Sequence, residues 1–309
     1  MAQDGGVGQP AQVATPFSDR LAQAVELKRS QLVVGLDPQL DLLPVELRGD
    51  AHLGRPAAAE ACTRFCCGVI DAVAPYAVAV KPQLAFFEVL GTEGMRALVE
   101  VCAYARVAGL LVIADGKRGD IGSTARAYAA AYLEAENGGT PLADALTVAT
   151  YLGRESLEPL LQTCRRGGAG VFCLVKTSNA GGDGQDLVLL DGRPLWQHVA
   201  RLVSDWGEEL VGERGLSSVG AVVGATHARA VGEARRLMPQ AILLLPGVGA
   251  QGASPADLAP AFTSGPASAL VTVSRSLLYA SRGSGDDWRT AAAGEAARLR
   301  REIWTVAGW

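Results

Sequence analysis

The sequence predicts an α/β fold, a (β/α)8 TIM barrel with an additional helix at each end, and three observations favour it. Short apolar runs rich in β-branched residues alternate with helical segments rich in Ala, Leu and charged residues along the chain. The runs are almost continuously apolar, which is typical of parallel strands that are covered on both faces. Eight strand-helix units of this kind fit in 309 residues, as in a closed barrel. An open doubly wound sheet is the alternative.

The predicted elements follow one another in a regular order. Residues 1–16 are rich in Gly, Gln, Ala and Pro and predict a flexible tail, after which 17–309 form a single barrel domain. The predicted strands are 31–37, 76–81, 110–115, 144–148, 170–176, 218–224, 241–247 and 269–274. The predicted helices between them are 56–73, 93–107, 122–136, 154–164, 195–211, 227–237 and 255–263. Additional helices are expected at 17–29 and 286–306, and 179–194 is a polar insertion after the fifth strand.

The composition favours a protein that acts on a small molecule. The formal net charge is −4 and no long run of Lys or Arg occurs, which argues against binding to nucleic acid or a membrane surface. No apolar run approaches the roughly 20 residues of a membrane span, and no signal-peptide pattern opens the chain, so we expect a cytoplasmic protein. The six cysteines lack C-x-x-C spacing and the three histidines are scattered. Reduced, buried thiols and no dedicated transition-metal site are therefore expected.

Polar residues gather where the predicted strands end, which is where barrels of this type carry function. The first three strands end in Asp37, Lys81 and Asp115. Within "DGKRGD", Asp115 and Lys117 are two positions apart, so a persisting strand projects both side chains to the same side. Asp120 falls in the loop that follows, where it can reach another subunit's site as easily as its own.

A phosphate site is expected at the loops that follow strands seven and eight. Gly247, Gly249 and Gly252 free the backbone to present N–H groups, and Gln251 adds an amide donor. Arg275, at the end of strand eight, supplies a cation that can bind phosphate with two hydrogen bonds. Loops at these two positions bind phosphate in many (β/α)8 barrels.

Several separated motifs resemble those of the orotidine 5'-monophosphate decarboxylase family. "ADGKRGDIGSTA" is similar to the D-x-K-x-x-D-I signature in the form found in the longer, type 2 subfamily. "LPGVGAQG" and "VSRSLLYA" resemble the phosphate-binding elements of the family, and "VVGLDP", "VAVKPQLAFFE" and "CLVKTSN" occur in the matching order. The resemblance runs from about Leu32 to Tyr279 and so covers most of the chain.

The resemblance implies conversion of orotidine 5'-monophosphate to uridine 5'-monophosphate and CO2, the last step of de novo pyrimidine synthesis, without metal or organic cofactor. The catalytic residues that it implies are Lys81, Asp115, Lys117 and Asp120, the last contributed to the neighbouring site of a homodimer. The implied substrate contacts are Asp37 for the ribose, Thr124 across the dimer interface, Thr177 and Ser178 for the pyrimidine, and Gly249, Gln251 and Arg275 for the phosphate.

The implied chemistry explains why such residues are needed. Loss of CO2 from C6 of the orotate ring leaves a carbanion in the ring plane, with no adjacent carbonyl to delocalise it. Lys117 lies between two carboxylates that favour its charged form, so it can stabilise the carbanion and then protonate C6. Asp115 is expected near the departing carboxylate, in a secondary role.

Other interpretations remain open at this point. A metal-dependent sugar-phosphate decarboxylase or epimerase on the same barrel needs an additional carboxylate, and Glu88 and Asp144 are the candidates. A Schiff-base aldolase would use Lys176 or Lys81. A catalytically silent nucleotide-binding barrel is a further alternative, although none of the four implied catalytic residues is missing. We expect Arg118 to point to solvent.

Overall fold

Eight parallel strands close into a barrel in the order β1 to β8. The computed structural model describes residues 14–49, 51–136, 139–179, 181–249, 252–282 and 285–309. The strands are β1 (Leu32–Leu36), β2 (Ala79–Pro82), β3 (Leu111–Arg118), β4 (Ala145–Val148), β5 (Gly170–Lys176), β6 (Ser217–Val223), β7 (Ala241–Pro246) and β8 (Ala269–Val273). Each predicted strand overlaps an observed one, and the closed (β/α)8 barrel is confirmed.

Helices surround the barrel. They are α1 (Phe17–Lys28), α2 (Val45–Arg48), α3 (Arg55–Val73), α4 (Ala85–Glu88), α5 (Gly91–Val107), α6 (Gly122–Leu133), α7 (Arg154–Gly167), α8 (Leu195–Gly207), α9 (Ala228–Leu237), α10 (Arg275–Leu278) and α11 (Trp288–Ala307). Short 3₁₀ helices span Leu40–Leu42, Ala51–Leu53, Gly182–Asp186, Glu208–Leu210 and Pro255–Phe262. The short helices α2, α4 and α10 lie in loops that the sequence patterns did not resolve.

Two predicted helices differ from the structure. The segment predicted at 255–263 is a 3₁₀ helix, because Pro260 inside it lacks the N–H group that an α-helix needs at that position. The helix predicted over 195–211 ends at Gly207 and continues as the 3₁₀ turn Glu208–Leu210. An added Cβ at Gly207 would lie 2.7 Å from Ser217 Oγ, so the helix approaches β6 closely at this point.

The amino-terminal end of the barrel is closed by α1. Phe17, Leu21 and Val25 of this helix are buried among the inward-facing side chains of the strands. The Phe17 ring contacts Phe172 of β5 edge to face, with centroids 5.8 Å apart. Buried apolar contact at this end leaves the carboxyl ends of the strands as the open end of the barrel.

The second apolar layer lies between the barrel and its outer helices. Within it, Trp288 at the start of α11 packs on Phe65 of α3, with ring centroids 5.3 Å apart, so the predicted C-terminal helix is part of the core. All six cysteines are unpaired and all except Cys67 are buried, as the sequence predicts. Of the helices in the described residues, none combines the length and the apolarity needed to cross a membrane.

Candidate active site

The carboxyl ends of the strands open onto a cavity of about 440 Å³. Seven of the residues predicted to form the site line it, namely Asp37, Lys81, Asp115, Lys117, Thr177, Ser178 and Arg275. Apolar side chains from three neighbouring strands, Leu174, Val222 and Leu244, complete the wall. The cavity therefore has charged groups at its edges and an apolar face between them, as is typical of small-molecule sites.

Asp115 is the centre of a hydrogen-bond network that joins three strands. Its Oδ2 atom accepts hydrogen bonds from the Lys81 ammonium and from Gln83 Nε2 at 3.1 Å. Its Oδ1 atom accepts from Lys117 Nζ at 2.7 Å and from Thr147 Oγ1 at 2.9 Å. One buried carboxylate is thus shared by two ammonium groups, which leaves a net positive charge beside the cavity.

The charge state of Asp115 follows from these contacts. Burial alone raises the pKa of this carboxyl group, but the adjacent Lys81 and Lys117 ammonium groups outweigh burial and lower the pKa to about 2. The carboxylate is therefore ionised at neutral pH. The Asp115 side chain is only 9% exposed and the Lys117 side chain 46%, so Lys117 is the more accessible of the two to a molecule in the cavity.

The backbone at Lys117 has an unusual conformation. Its φ angle is 48°, and Arg29 is the other non-glycine residue with positive φ in the described part of the chain. Strand β3 persists to Arg118, as the spacing argument required, but its pairing with β4 shifts register between Ala114 and Arg118. The side chains of Asp115 and Lys117 are adjacent as predicted, but the strand between them is irregular and does not have the regular pleat on which the prediction was based. Strained backbone of this kind is concentrated at functional sites.

The prediction for Arg118 is wrong, because its side chain turns back onto the protein and is only 22% exposed. The guanidinium forms an ion pair with Glu88 and lies 5.8 Å from the ring centroids of Tyr128 and Tyr132. It also donates a hydrogen bond to the Gly116 carbonyl at 2.9 Å. A cation beside two aromatic faces and a carboxylate has more partners inside the protein than in solvent.

One side of the cavity presents an unpartnered carboxylate oxygen. Asp37 Oδ1 is buried and has no hydrogen-bond partner, and the same is true of Thr272 Oγ1 in β8. The Asp37 backbone is held by Tyr279, whose hydroxyl donates to the Asp37 carbonyl at 3.0 Å. Asp37 and Thr272 both line the cavity, so a bound molecule can supply the hydrogen-bond partners that these two atoms lack.

The glycine-rich loop after β7 has the backbone conformation that its composition predicts. Gly247 and Gly249 have φ angles of 111° and 77°, and an added Cβ at Gly249 would lie 2.9 Å from Ser276 Oγ. Arg275 begins α10, is exposed, and lines the cavity beside this loop. Gln251 lies outside the described residues. Gly247 and Val248 of the loop line the cavity together with Arg275, so a cation lies on the same stretch of its wall as this loop.

The end of β5 is fixed by the insertion that follows it. Gln185, in the 3₁₀ helix Gly182–Asp186, accepts from the Thr177 backbone N–H at 2.9 Å and donates to Thr177 Oγ1 at 2.6 Å. Lys176, which does not line the cavity, forms an ion pair with Asp186 at 2.5 Å. The insertion therefore holds the loop that carries Ser178, and Lys176 is a structural residue and not a Schiff-base lysine.

Asp120 and Thr124 do not reach the cavity of their own chain. Asp120 Oδ1 accepts a hydrogen bond from the Ile121 N–H at 2.8 Å, and Thr124 lies exposed on the first turn of α6. Neither residue is among those that line the cavity.

Sequence reasoning missed Gln83 and Thr147, and it included Ser274 only as part of the motif "VSRSLLYA" after strand eight. Both could have been identified from the sequence, because Gln83 is a polar residue directly after β2 and Thr147 is the one residue with a hydroxyl group in the otherwise apolar β4. Ser274 lies against Gly35, where an added Cβ would collide with the Ser274 hydroxyl.

The two carboxylates considered as additional metal ligands lie elsewhere. Glu88 binds Arg118, and Asp144 lies at the amino-terminal end of the barrel, where it pairs with Arg20. In the portion of the chain that the structure describes, no three His, Cys, Asp or Glu side chains are grouped closely enough to hold a metal ion.

A closed (β/α)8 barrel with a lysine–aspartate–lysine cluster facing a glycine-rich loop and an arginine is typical of enzymes that act on phosphorylated small molecules. Residues 30–285 match the model of the orotidine 5'-phosphate decarboxylase / HUMPS family, and the chain belongs to this family.

Individual relatives agree with the family match. The chain is 49% identical over 267 residues to an orotidine 5'-phosphate decarboxylase of Rhodopirellula baltica, covering 85% of this chain and 88% of that protein. It is 47% identical over 265 residues to the orotidine 5'-phosphate decarboxylase of Deinococcus radiodurans, with 85% and 89% covered. The solved structure of Leishmania donovani OMP decarboxylase superposes with a TM-score of 0.71 at 32% identity, covering 94% of this chain and 99% of that chain.

Proposed function

We infer that this protein converts orotidine 5'-monophosphate to uridine 5'-monophosphate and CO2 in pyrimidine biosynthesis. The observation that carries the inference is the exposed Lys117 ammonium, 2.7 Å from Asp115 Oδ1, in a cavity that also contains Arg275. Family membership over residues 30–285 and relatives with 47% and 49% identity support the same activity.

The proposed reaction needs only the side chains at the mouth of the barrel. The bond between C6 and the carboxylate carbon breaks, its electron pair stays on C6, and CO2 leaves. The Lys117 ammonium stabilises that electron pair and then transfers a proton to C6, which forms the C6–H bond of the product. Two unit charges 4 Å apart interact by roughly 4 kcal/mol at an effective dielectric constant near 20, a useful part of the barrier.

Asp115 and Lys81 set the position of Lys117. The Asp115 carboxylate is held by Lys81, Gln83 and Thr147 as well as by Lys117, so it cannot follow the lysine into the cavity. We place Asp115 next to the departing carboxylate, where the repulsion between them is relieved as CO2 forms.

The remainder of the substrate is assigned to the other edges of the cavity. The unpartnered Asp37 Oδ1 accepts a hydrogen bond from a ribose hydroxyl, and Arg275 binds the phosphate. Gly249 and Gln251 are assigned to the phosphate because the family motif implies it. Ser178, with Thr177 beside it, contacts the pyrimidine. Because the phosphate is remote from C6, its binding energy can hold the ring in the reactive orientation and raise the rate as well as the affinity.

We also propose a homodimer in which Asp120 completes the partner's site. In support, Asp120 and Thr124 do not line their own cavity, and three exposed apolar side chains lie in the segments that follow the paired strands β3 and β4. These are Ile121, Tyr151 and Leu152, with exposed fractions of 52%, 96% and 50%. Exposed apolar residues grouped in this way are typical of a protein interface.

Mixed dimers test the contribution of Asp120. A Lys117→Ala chain and an Asp120→Ala chain are each inactive alone; after subunit exchange, about a quarter of the sites regain both residues if Asp120 acts across the interface, by the binomial pairing of two chains. If Asp120 acts within its own chain, mixing restores no sites. Retention of the untagged chain with a tagged partner on an affinity column confirms that exchange has occurred.

The activity itself is tested by the loss of orotate absorbance when the purified protein meets orotidine 5'-monophosphate in the presence of EDTA. Rapid loss that Lys117→Ala abolishes is the expected result. No loss, together with turnover of a sugar phosphate once Mg²⁺ is restored, would instead assign the protein to the metal-dependent reactions considered above.

A further inference from the structure

We propose that Arg118 is a positioning residue that, together with Thr147, fixes the peptide group between Gly116 and Lys117 and so aims the Lys117 ammonium at the reacting carbon. The proposal rests on the proposed function, in which Lys117 protonates C6. It concerns a residue that does not line the cavity and therefore does not touch the substrate.

The peptide group between Gly116 and Lys117 is held at both of its polar ends. Its carbonyl, on Gly116, accepts a hydrogen bond from Arg118 Nη1 at 2.9 Å. Its N–H, on Lys117, donates to Thr147 Oγ1 at 2.9 Å. A planar peptide can rotate only as a unit, and its rotation changes ψ of the first residue and φ of the second together. The two hydrogen bonds therefore oppose any rotation that would return Lys117 to an ordinary φ.

Without such support, the observed φ of 48° at Lys117 is unfavourable. A long side chain in the left-handed region costs about 1 to 3 kcal/mol and persists only when its surroundings hold it. The residue before this peptide is also closely packed, because an added Cβ at Gly116 would lie 2.6 Å from Leu84 Cδ1, and the Leu84 side chain would have to shift. The conformation of Lys117 is thus imposed by its neighbours and is not its own preference.

Arg118 is itself held on three sides. Its Nη2 atom binds the Glu88 carboxylate at the end of α4, and the same atom lies 3.3 Å from the Tyr132 hydroxyl of α6. The rings of Tyr128 and Tyr132 flank the guanidinium at 5.8 Å. The short helix α4, which follows β2, and α6, which follows β3, therefore hold the guanidinium that binds the Gly116 carbonyl.

The arrangement requires a guanidinium group. Nη1 donates a hydrogen bond to the Gly116 carbonyl, and Nη2 donates to Glu88 and Tyr132. The contacts therefore need two nitrogen atoms held in one rigid plane. A lysine at position 118 has one nitrogen and cannot reach both sets of acceptors in this geometry. Replacement by Lys should therefore behave more like replacement by Ala than like the native residue.

The experiment compares Arg118→Ala, Arg118→Lys and a control variant, Arg126→Ala. Arg126 is also an arginine on the same side of the barrel, but it binds Gln162 on α7 at 2.6 Å and does not contact the 116–118 backbone. We expect kcat to fall about 10- to 100-fold in both Arg118 variants, since a misplacement of 1 Å can cost about 100-fold, with KM nearly unchanged. Arg126→Ala should retain native kcat and KM.

Chemical rescue separates positioning from general damage. Millimolar guanidinium should restore part of kcat in Arg118→Ala and none in Lys117→Ala, because the added ion can occupy the space of the missing side chain. A crystal structure of Arg118→Ala should show Lys117 with a changed φ. Native kcat in Arg118→Ala, or a loss of activity with φ at Lys117 unchanged, would overturn the proposal.

Two further measurements keep the outcome interpretable. If Arg118→Ala does not fold, Glu88→Gln replaces it, because this change keeps Arg118 but removes the charge of its carboxylate partner. Native kcat in both Glu88→Gln and Arg118→Lys would then refute the proposal. If the native protein does not decarboxylate orotidine 5'-monophosphate, the proposed function is wrong. If the native protein does so and the Arg118 variants have the same kcat, only the positioning role of Arg118 is wrong.

Discussion

Two buried carboxylates, Asp115 and Asp144, lie at opposite ends of the barrel and differ in what surrounds them. The exposed fractions of their side chains are nearly equal, 9% and 8%, and each is paired with two cations. Asp115 binds Lys81 and Lys117 and faces the open cavity. Asp144 is packed beneath α1 at the closed end.

The partners of Asp144 indicate a structural role. Arg20 of α1 lies 2.5 Å from Asp144 Oδ1 and also donates to the Gly168 carbonyl at 3.1 Å, while Arg106 lies 3.7 Å from Oδ2. The Val112 N–H donates to Asp144 at 2.9 Å. These contacts join α1, α5 and the starts of β3 and β4.

The comparison teaches that a buried charge pair does not by itself indicate catalysis. Arginine keeps its proton under all ordinary conditions and cannot act as an acid, whereas lysine can donate a proton. Access differs as well, because Lys81 and Lys117 both line the cavity, whereas Arg20 and Arg106 do not. Donor type and access to a cavity, more than burial or charge, distinguish the active end from the structural end.

The largest expected effect is at the active end. Lys117→Ala should lower kcat about 10⁴-fold or more, because it removes both the cation and the proton donor. Thermal unfolding should change little, since the side chain is half exposed. A variant with more than a hundredth of native kcat would show that Lys117 is not the proton donor, and Lys28→Ala, at the far end of α1, is a lysine control for the assay.

The matching change at the structural end should affect stability and not chemistry. Asp144→Asn leaves Arg20 and Arg106 without a counter-charge, and we expect a loss of about 3 kcal/mol in the free energy of unfolding, measured in urea. The kcat of the folded fraction should stay native. A large fall in kcat at native stability would contradict the structural assignment of Asp144.

The ionisation of Asp115 predicts a dependence of stability on pH. Its pKa is lowered in the folded state to about 2, so its contribution is fully present above its unfolded value near 4 and is lost as the pH falls through 2. The shift corresponds to about 2 kcal/mol. We therefore expect the difference in unfolding free energy between the native protein and Asp115→Asn to shrink by this amount between pH 5 and pH 2. A difference that is constant over this range would show that Asp115 has an ordinary pKa.

The smallest effects are expected from the outermost partner of each carboxylate. Gln83→Ala removes a 3.1 Å hydrogen bond to Asp115 and should lower kcat less than about 10-fold without changing stability by more than about 1 kcal/mol. Arg106→Met removes the 3.7 Å contact to Asp144 and should cost about 1 kcal/mol of stability with native kcat. If Gln83→Ala lowered stability and Arg106→Met lowered kcat, the assignment of one end of the barrel to catalysis and the other to stability would be wrong.

Much of the fold and the site was determined by the sequence alone. The eight strands, the position of α1 and α11, and the location of Asp37, Lys81, Asp115, Lys117 and Arg275 at the barrel mouth were all predictable. The physical reason is local: continuous apolar runs specify buried parallel strands, and charges that follow such runs collect at one end of a barrel. The spacing of two between Asp115 and Lys117 set their adjacency in the same way.

Only the tertiary structure decided which residues complete these contacts. Thr147 and Gln83 reach Asp115 from chain positions about 30 residues away, and Arg118 turns inward because Glu88, Tyr128 and Tyr132 surround it. Contacts of this kind depend on strand register and on the angle at which helices return to the barrel. Hydrophobic periodicity specifies which face of an element is buried, but it carries no information about which distant side chain will meet it.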